Sequence, residues 1–381
     1  MRGVRQTDNM AICQDNMKER VNVTRATLPP LEEYTQKLAE IFASRQLTNQ
    51  SENARELERR LSGFLDSPTL LACANGTLAL QLAIRHLGLS GRKVITTPFT
   101  YVATVSALLW EGCEPVFADI DPGTFCLDPE SVRAKLAEHS DAAGILPVHV
   151  FGNAADVKAI GEIAAEHDLK VLYDAAHAFG SRLDGRSLFG YGDAATGSFH
   201  STKLFHTVEG GCVATGDAAD SGPLQLLRAF GHVNDNHYCL GINAKMSELH
   251  AAMGLCLLPR VPELIRARAE KTNLYDQLLD FPANDCLRPV SLAPGLEWNH
   301  AYYPLVFANS KTLEKAMANL AKENIHPRRY FYPSLTRLPY LKPQQAPAAD
   351  DIATRILCLP LWAEMENEIV ERTTEIILKS I

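Results

Sequence analysis

The segment LLACANGTLALQLAI, Leu70–Ile84, decides the fold class. Its apolar first half is typical of a buried strand, and after Asn75, Gly76 and Thr77 the apolar residues take up helical spacing. The same alternation continues through six further strand candidates: KVITTPF, EPVFADI, AAGILPVHV, KVLYDAA, ATGSFHS and GCVAT. Helical patterns such as TLALQLAIRHLG and ADVKAIGEIAAEHD separate them. The alternation predicts an α/β domain with a mostly parallel sheet covered by helices on both faces.

The pattern changes after about Pro259. VPELIRARAEKTNLYDQLLDF predicts a long amphipathic helix, and a strand-like AYYPLVFA, a helix over 311–323 and a final helix containing NEIVERTTEIILKSI follow. We therefore divide the chain into three parts: a polar, flexible N-terminal segment (1–22), a large α/β domain (23–258) and a smaller α+β C-terminal domain (259–381).

Charge, cysteine content and hydropathy indicate which kinds of binding partner and which compartment to expect. A formal net charge of -8, from 37 basic and 45 acidic residues, supplies no basic field for nucleic acid. Nine cysteines without C-x-x-C spacing fit neither a disulfide framework nor a zinc ribbon, and indicate reduced thiols. The apolar stretches are too short to span a bilayer, and the N-terminus has no secretory apolar block. We expect a cytoplasmic protein with neither a nucleic-acid nor a membrane partner.

Two segments place polar groups where strands end. At Asn75–Thr77, the free amides of a helix start, a glycine and a hydroxyl form a natural phosphate site, although a plain capped turn also fits. In KVLYDAAHAFGS, Asp174 ends a strand and His177 follows three residues later. A carboxylate there binds a metal, orients a histidine, faces a cationic ring nitrogen or caps the next turn.

The segment SFHSTKLFHTVEGG, Ser198–Gly211, places Lys203 between His200 and His206. Its paired glycines predict a tight turn into GCVAT. An enclosed lysine has a lowered pKa and can form an imine with a carbonyl. A solvated loop lysine keeps its high pKa and stays protonated, and this alternative also fits the sequence. The histidines lack ligand-spaced partners, so they indicate packing or substrate contact and we predict no metal site. A cofactor with a phosphate, a basic ring nitrogen and an aldehyde uses all three segments, and pyridoxal 5'-phosphate (PLP) is such a molecule.

Several motifs together resemble the DegT/DnrJ/StrS family of sugar aminotransferases. They occur in the family's order from LPPLEEYTQKLAEIF to the C-terminus: LTNQSENARELERRLSGF, CANGTLAL, TTPFTYVATVSALLWEGCEPVFADID, ILPVHVFGNAADV, YDAAHAFGS, SFHSTKLFHTVEGGCVAT and GINAKMSELHAAMGL. The resemblance implies the aspartate aminotransferase fold (PLP fold type I), with a mostly parallel seven-stranded sheet in the large domain and a smaller α+β C-terminal domain.

The resemblance also implies roles for individual residues. Lys203 corresponds to the Schiff-base lysine, which moves the proton during transamination and is therefore catalytic. Asp174 corresponds to the partner of the pyridine nitrogen, which keeps that nitrogen protonated. Tyr101 stacks on the cofactor ring. His177 stands where most members have glutamine beside the cofactor's hydroxyl, and we expect its charge to change near neutral pH.

The remaining cofactor contacts implied by the resemblance surround the phosphate. Gly76, Thr77 and Ser198 correspond to phosphate-side residues of the same subunit. Asn243, in GINAKMSE, corresponds to an asparagine that reaches the phosphate from the neighbouring subunit. The resemblance therefore implies a homodimer with shared active sites.

The substrate prediction rests on NIHPRRYFYPSL, 324–335, whose arginines and aromatics suit a nucleotide sugar. The chain is most similar to members that aminate C4 of a dTDP-4-keto-6-deoxyhexose in O-antigen or polysaccharide biosynthesis, with L-glutamate as donor and pyridoxamine 5'-phosphate as the intermediate cofactor form. Amination at C3, a PLP-dependent sugar dehydratase and a regulatory protein without turnover are the alternatives. The predicted substrate contacts are Tyr101, His206, Arg328, Arg329, Tyr330 and Tyr332.

Overall fold

A computed structural model describes residues 19–381. The strands, numbered along the chain, are β1 (Val21–Asn22), β2 (Thr69–Cys73), β3 (Lys93–Thr96), β4 (Glu114–Phe117), β5 (Ala142–Leu146), β6 (Lys170–Asp174), β7 (Arg182–Leu183), β8 (Arg186–Ser187), β9 (Ala194–Ser198), β10 (Gly211–Thr215), β11 (His232–Val233), β12 (Asn236–His237), β13 (Leu287–Pro289), β14 (Leu296–Glu297), β15 (Pro304–Phe307), β16 (Ile325–His326) and β17 (Ile356–Cys358).

The α-helices are α1 (Leu31–Ser44), α2 (Glu52–Phe64), α3 (Gly76–His86), α4 (Ala103–Trp110), α5 (Pro129–Glu138), α6 (Val157–His167), α7 (Ser221–Arg228), α8 (Glu248–Leu257), α9 (Val261–Leu279), α10 (Ser310–Lys322), α11 (Pro347–Arg355) and α12 (Asn367–Leu378). Among residues 19–381, none of these is both long and apolar enough to cross a membrane.

The seven strands predicted from the sequence form one sheet, in the order β2-β10-β9-β6-β5-β3-β4. The pairs from β9 to β4 are parallel, whereas β10 runs antiparallel to both β2 and β9. A loop over 199–210 joins β9 to β10, and a connection without a crossover helix returns the chain antiparallel. The predicted mostly parallel seven-stranded sheet is confirmed.

The C-terminal part has its own smaller sheet, β13-β15-β17, which packs with α10 and α12. Helix α9 joins the two parts, because Val261 at its start is buried in the large core while Tyr275 and Leu279 are buried in the smaller one. The domain boundary between residues 258 and 259 remains a prediction, since α9 belongs to both cores.

Of the N-terminal segment predicted as flexible, 1–22, residues 1–18 lie outside the described part of the chain. Its last two residues form β1, which pairs in parallel with β16, and Val21 is buried in the smaller core. These two residues therefore pack with the C-terminal part, so the predicted flexibility does not extend to them.

At one edge of the main sheet, an ion pair between buried Arg228 and partly buried Glu58 satisfies backbone groups of the edge strand. Strand β2 lies at this edge, so the backbone groups of Ala72 need partners outside the sheet. Glu58 of α2 accepts a hydrogen bond from the Ala72 amide at 2.8 Å, and Arg228 of α7 donates to the Ala72 carbonyl at 2.7 Å. Arg228 and Glu58 also pair with each other, and Arg228 is only 2% exposed.

Replacing Arg228 by Met is expected to lower the free energy of unfolding by about 3 kcal/mol, because the substitution removes the cationic partner of Glu58 and the side-chain donor to the Ala72 carbonyl. Urea denaturation followed by circular dichroism measures the loss. Arg133→Met, which breaks the exposed pair with Glu166, is the matched control and is expected to unfold like the parent protein. Equal midpoints for the two variants would contradict the role of Arg228.

Candidate active site

A cavity of about 250 Å³ opens at the carboxyl ends of β6 and β9, beside the start of α3. Nine of the thirteen site residues predicted from the sequence line it: Gly76, Thr77, Tyr101, Asp174, His177, Ser198, Lys203, Arg328 and Tyr330. The other four, His206, Asn243, Arg329 and Tyr332, do not. The sheet topology thus gathers side chains that lie more than 250 positions apart in the sequence.

One end of the cavity is the N-terminus of α3. Asn75 caps this helix by accepting a hydrogen bond from the Leu78 amide at 2.9 Å, so the cap suggested by the sequence is present. The amides of Gly76 and Thr77 precede the helix's first internal hydrogen bond, from Ala79 to Asn75. Together with the hydroxyls of Thr77 and Ser198, they provide the donors and positive helix end that bind a phosphate.

Two glycines bring this helix start against the sheet. A Cβ at Gly76 would lie 2.9 Å from Ser198 Cβ, and one at Gly211 would lie 2.6–2.7 Å from the backbone of Asn75 and Gly76. The chain bends into β10 at Val208, whose φ is 69°, and neither Gly210 nor Gly211 has a positive φ. Gly211 is needed for close approach of two backbones.

Asp174 ends β6 with its carboxylate buried behind the cavity. Oδ2 accepts a hydrogen bond from the Thr104 hydroxyl at 2.7 Å, and Oδ1 accepts one from the Ala176 amide at 3.1 Å. Thr104 is itself within 2.8 Å of the Thr100 hydroxyl. Burial raises the pKa of Asp174 above its usual value, while these hydrogen bonds and the charge of Lys203 oppose the rise. A second cation beside this carboxylate, such as a protonated ring nitrogen, would also favour its charged form and lower its pKa.

Lys203 projects from the β9–β10 loop into the same cavity. Its amine donates a hydrogen bond to the Tyr302 hydroxyl at 3.1 Å. Burial lowers the pKa of Lys203 from 10.5 to about 8, although the negative charge of Asp174 opposes this. The amine is therefore enclosed rather than solvated, which resolves the two alternatives left by the sequence. With this pKa, about a tenth of the amine is neutral and nucleophilic at pH 7, far more than for a solvated lysine.

His177 lies parallel to Phe331, with ring centroids 5.7 Å apart, and contacts the Tyr302 ring. Its Nδ1 accepts a hydrogen bond from the Phe151 amide at 3.2 Å, so the neutral ring carries its proton on Nε2. Burial and the charge of Lys203 hold the pKa of His177 well below 6.5. The expectation that this histidine changes charge near neutral pH is therefore wrong. It stays neutral and remains a hydrogen-bond donor.

The outer part of the cavity is aromatic and basic. Tyr101 is 52% exposed there, so its ring is available to stack on a bound molecule. The Arg328 guanidinium lies 4.7 Å from the centroid of the Tyr330 ring. These groups suit a ligand with a flat ring and negative charge.

The predicted substrate contact at His206 is not supported. This side chain is 1% exposed, and its Nε2 donates to the Thr27 carbonyl at 2.8 Å while Nδ1 accepts from the Val208 amide. It ties the lysine loop to the stretch between β1 and α1. Sequence proximity to Lys203 was misleading, because Lys203 lines the cavity while His206, in the same loop, is buried against Thr27.

Arg329 and Tyr332 also face away from the cavity. The Arg329 guanidinium donates to the carbonyls of Ala353 and Thr354 and stacks on Tyr332, which is 53% exposed. Asn243 is exposed beside the β11–β12 hairpin of its own chain. Its contact with a neighbouring subunit's cofactor stays a prediction.

Two residues that the sequence did not single out contact the central groups. Thr104 lies on α4 and holds Asp174, and Tyr302 precedes β15 and contacts Lys203. The only sequence signals were a threonine in TYVAT and an aromatic before a strand. Neither distinguishes a site residue from a core residue.

The residues present fit PLP. The α3 terminus with Thr77 and Ser198 would hold its phosphate, the buried Asp174 carboxylate would pair with its ring nitrogen, and the Lys203 amine is the nucleophile for its aldehyde. The close approach of Gly76 to Ser198 supports this assignment, because a Cβ at Gly76 would collide with Ser198 at the phosphate end.

Comparisons with known proteins identify similar enzymes. Two relatives named dTDP-4-amino-4,6-dideoxy-D-glucose transaminase are similar over almost their whole length. The protein from Shigella dysenteriae is 37% identical over 93% of this chain and 97% of its own, and the one from Escherichia coli is 32% identical over 94% and 98%. A crystal structure of DesI in the presence of its TDP-sugar product superposes with a TM-score of 0.88 and 32% identity, over 95% of this chain and 93% of DesI.

The family assignment follows from these similarities and from the family match itself, which extends over residues 31–378. The enzyme class and the PLP cofactor predicted from the sequence are confirmed with it. The chain belongs to the DegT/DnrJ/EryC1/StrS aminotransferase family.

Proposed function

We propose that this protein transfers the amino group of L-glutamate to C4 of dTDP-4-keto-6-deoxyglucose and releases a dTDP-4-amino-4,6-dideoxy sugar. The observation that carries the proposal is the single cavity shared by Lys203, Asp174 and the N-terminus of α3. The two transaminase relatives and DesI support the choice of nucleotide sugar.

In the proposed reaction, Asp174, Thr104 and Lys203 act together with the bound cofactor. PLP, when bound, supplies an electron-poor ring that stabilises negative charge on the carbon bearing the transferred nitrogen. Asp174 holds negative charge in a buried position, and Thr104 orients it. Lys203 Nζ takes up and returns the proton, which its lowered pKa permits near neutral pH. The donor and the sugar use the same amine in turn, which predicts ping-pong kinetics.

Substrate recognition is proposed for Tyr101, Arg328 and Tyr330. The Arg328 guanidinium is suited to the diphosphate of the nucleotide sugar or to a carboxylate of the amino acid, because both present paired anionic oxygens. Tyr101 and Tyr330 provide aromatic faces at the mouth of the cavity. The lysine at 203 argues against the dehydratase alternative, since that related branch has histidine at this position.

The homodimer and the cytoplasmic location are part of the same proposal. Around Asn243, the β11–β12 region exposes Phe230, Val233, Tyr238 and Leu240 by 51–73%. Apolar side chains clustered in this way are typical of a subunit interface, and a second copy of the chain would place its own Asn243 against the phosphate end. The free thiols of the described cysteines support a reducing compartment.

The substrate is tested with a panel of nucleotide keto sugars. Purified protein with PLP and L-glutamate is expected to form 2-oxoglutarate and a C4-aminated product with dTDP-4-keto-6-deoxyglucose, identified by NMR. A 3-keto isomer serves as the comparison substrate, and faster turnover of it would move the amination to C3. No 2-oxoglutarate with any keto sugar would favour a regulatory protein.

Lys203→Ala is expected to abolish turnover and the visible absorption band of the lysine-bound cofactor, with unchanged circular dichroism. Lys135→Ala, on exposed α5, is the matched control and should keep both. Because burial lowers the pKa of Lys203 to about 8, the neutral amine increases as pH rises through 8. The rate at which apoenzyme gains the band from PLP should rise over that range. A rate that keeps rising towards pH 10.5 would contradict an enclosed amine.

Shared active sites are tested by complementation between Lys203→Ala and Asn243→Ala. Each variant alone is expected to be nearly inactive. Subunits exchanged at random should recover about a quarter of the parent activity, because half of the dimers are mixed and each mixed dimer has one intact site. Activity is measured after mild denaturation and refolding of the mixture. No recovery, with mixed dimers detected by mass spectrometry, would contradict a partner role for Asn243.

A further inference from the structure

Lys203 has a specific partner that the proposed chemistry does not yet use. Its Nζ donates a hydrogen bond to the Tyr302 hydroxyl at 3.1 Å, and the two residues are 99 positions apart in the chain. The Tyr302 ring also lies near the same amine, with Nζ 5.8 Å from its centroid. Both side chains line the cavity, so the contact belongs to the site and not to the protein surface.

Tyr302 is held in place by aromatic neighbours. Its ring centroid lies 4.6 Å from that of His177, 5.5 Å from Phe151 and 5.7 Å from Tyr330. These contacts come from three different segments of the chain. A ring packed on several sides has few rotamers available, so the hydroxyl is presented at one place.

The backbone before Tyr302 is fixed by Asn299, which is fully buried. Its side-chain amide donates to the carbonyls of His177 at 2.7 Å and Phe179 at 3.0 Å, and its oxygen accepts from the Ala301 amide at 3.1 Å. Asn299 therefore ties the segment that carries Tyr302 directly to the segment that carries His177. The hydroxyl reaches Lys203 as a consequence of this connection.

We propose that Tyr302 is a positioning residue for Lys203, which holds the amine at a fixed place in the cavity and stabilises its protonated form between proton transfers. The inference rests on the proposed function, in which Lys203 moves the proton. A hydroxyl that accepts a hydrogen bond from an ammonium group favours the charged form and raises the amine pKa. Tyr302 thus opposes part of the effect of burial, and the amine is able to alternate between its two forms.

A neutral hydroxyl suits this role better than a second carboxylate would. A carboxylate at 3.1 Å would hold the amine permanently protonated, and the amine would lose its nucleophilicity. Burial raises the pKa of Tyr302 further above 10, so the phenol stays neutral across the working range of pH. The same hydroxyl accepts from the ammonium form and donates to the free amine.

The test compares Tyr302→Phe with Tyr191→Phe, a control that removes the hydroxyl of a tyrosine outside the cavity, where it donates to the Leu183 carbonyl. The readout is the pH dependence of the rate at which apoenzyme gains the visible band from PLP. Loss of the Tyr302 hydroxyl is expected to lower the apparent pKa of Lys203 by about one unit, whereas the apparent pKa of Lys203 in Tyr191→Phe should match the parent value. In turnover, Tyr302→Phe is expected to lower kcat about tenfold with little change in KM.

The outcomes separate this inference from the proposed function. An unchanged apparent pKa in Tyr302→Phe, or the same shift in both tyrosine variants, would overturn the positioning role while leaving Lys203 as the catalytic amine. A Lys203→Ala protein that keeps the visible band would overturn the proposed function and this inference together. Equal melting temperatures of parent and Tyr302→Phe would show that a pKa shift does not come from general loosening of the fold.

Discussion

The removal of one amine from water is the constraint on which this site depends. A buried ammonium group loses its hydration, and burial alone lowers the Lys203 pKa. Asp174 and Tyr302 offset part of that cost without cancelling it: the carboxylate acts through charge and the phenol through a hydrogen bond. An amine closely paired with the carboxylate would stay protonated, whereas one with neither partner would not hold a proton between transfers.

The sheet supplies the geometry that this balance needs. Strands β6 and β9 are parallel neighbours, so Asp174 and Ser198, at their carboxyl ends, lie on the same side of the sheet's end. The antiparallel return of β10 converts the connection after Ser198 into a loop that carries Lys203 back across this end. Because Gly211 has no side chain, the turn at Asn75 can approach β10, and the phosphate end of the cavity lies beside the lysine loop.

Features encoded by local pattern were predictable from the sequence, whereas contacts between distant segments were not. The seven strands, Asp174 at a strand end and the helix start at Gly76 all follow from short windows of apolar spacing and turn chemistry. His206 was misassigned because spacing from Lys203 says nothing about which way a loop reverses. Tyr302 was missed because its contact depends on Asn299, whose partners lie 120 or more positions away. The neutral state of His177 likewise depends on its burial and on the charge of Lys203, and its tautomer depends on the amide of Phe151, 26 positions away.

The environment of the Lys203 amine also depends on how the large α/β part and the C-terminal part pack together. Arg268 is buried on α9, which enters both cores, and it donates to the carbonyls of Ala301, which precedes β15, and Leu361, which follows β17. Burial lowers the Arg268 pKa only to about 10, so it stays charged at neutral pH and this connection persists. Separation of the two parts would withdraw Tyr302 and Arg328 from the cavity together and admit water to Lys203. The amine would then regain the high pKa of a solvated lysine, so its reactivity requires the two parts to be packed together.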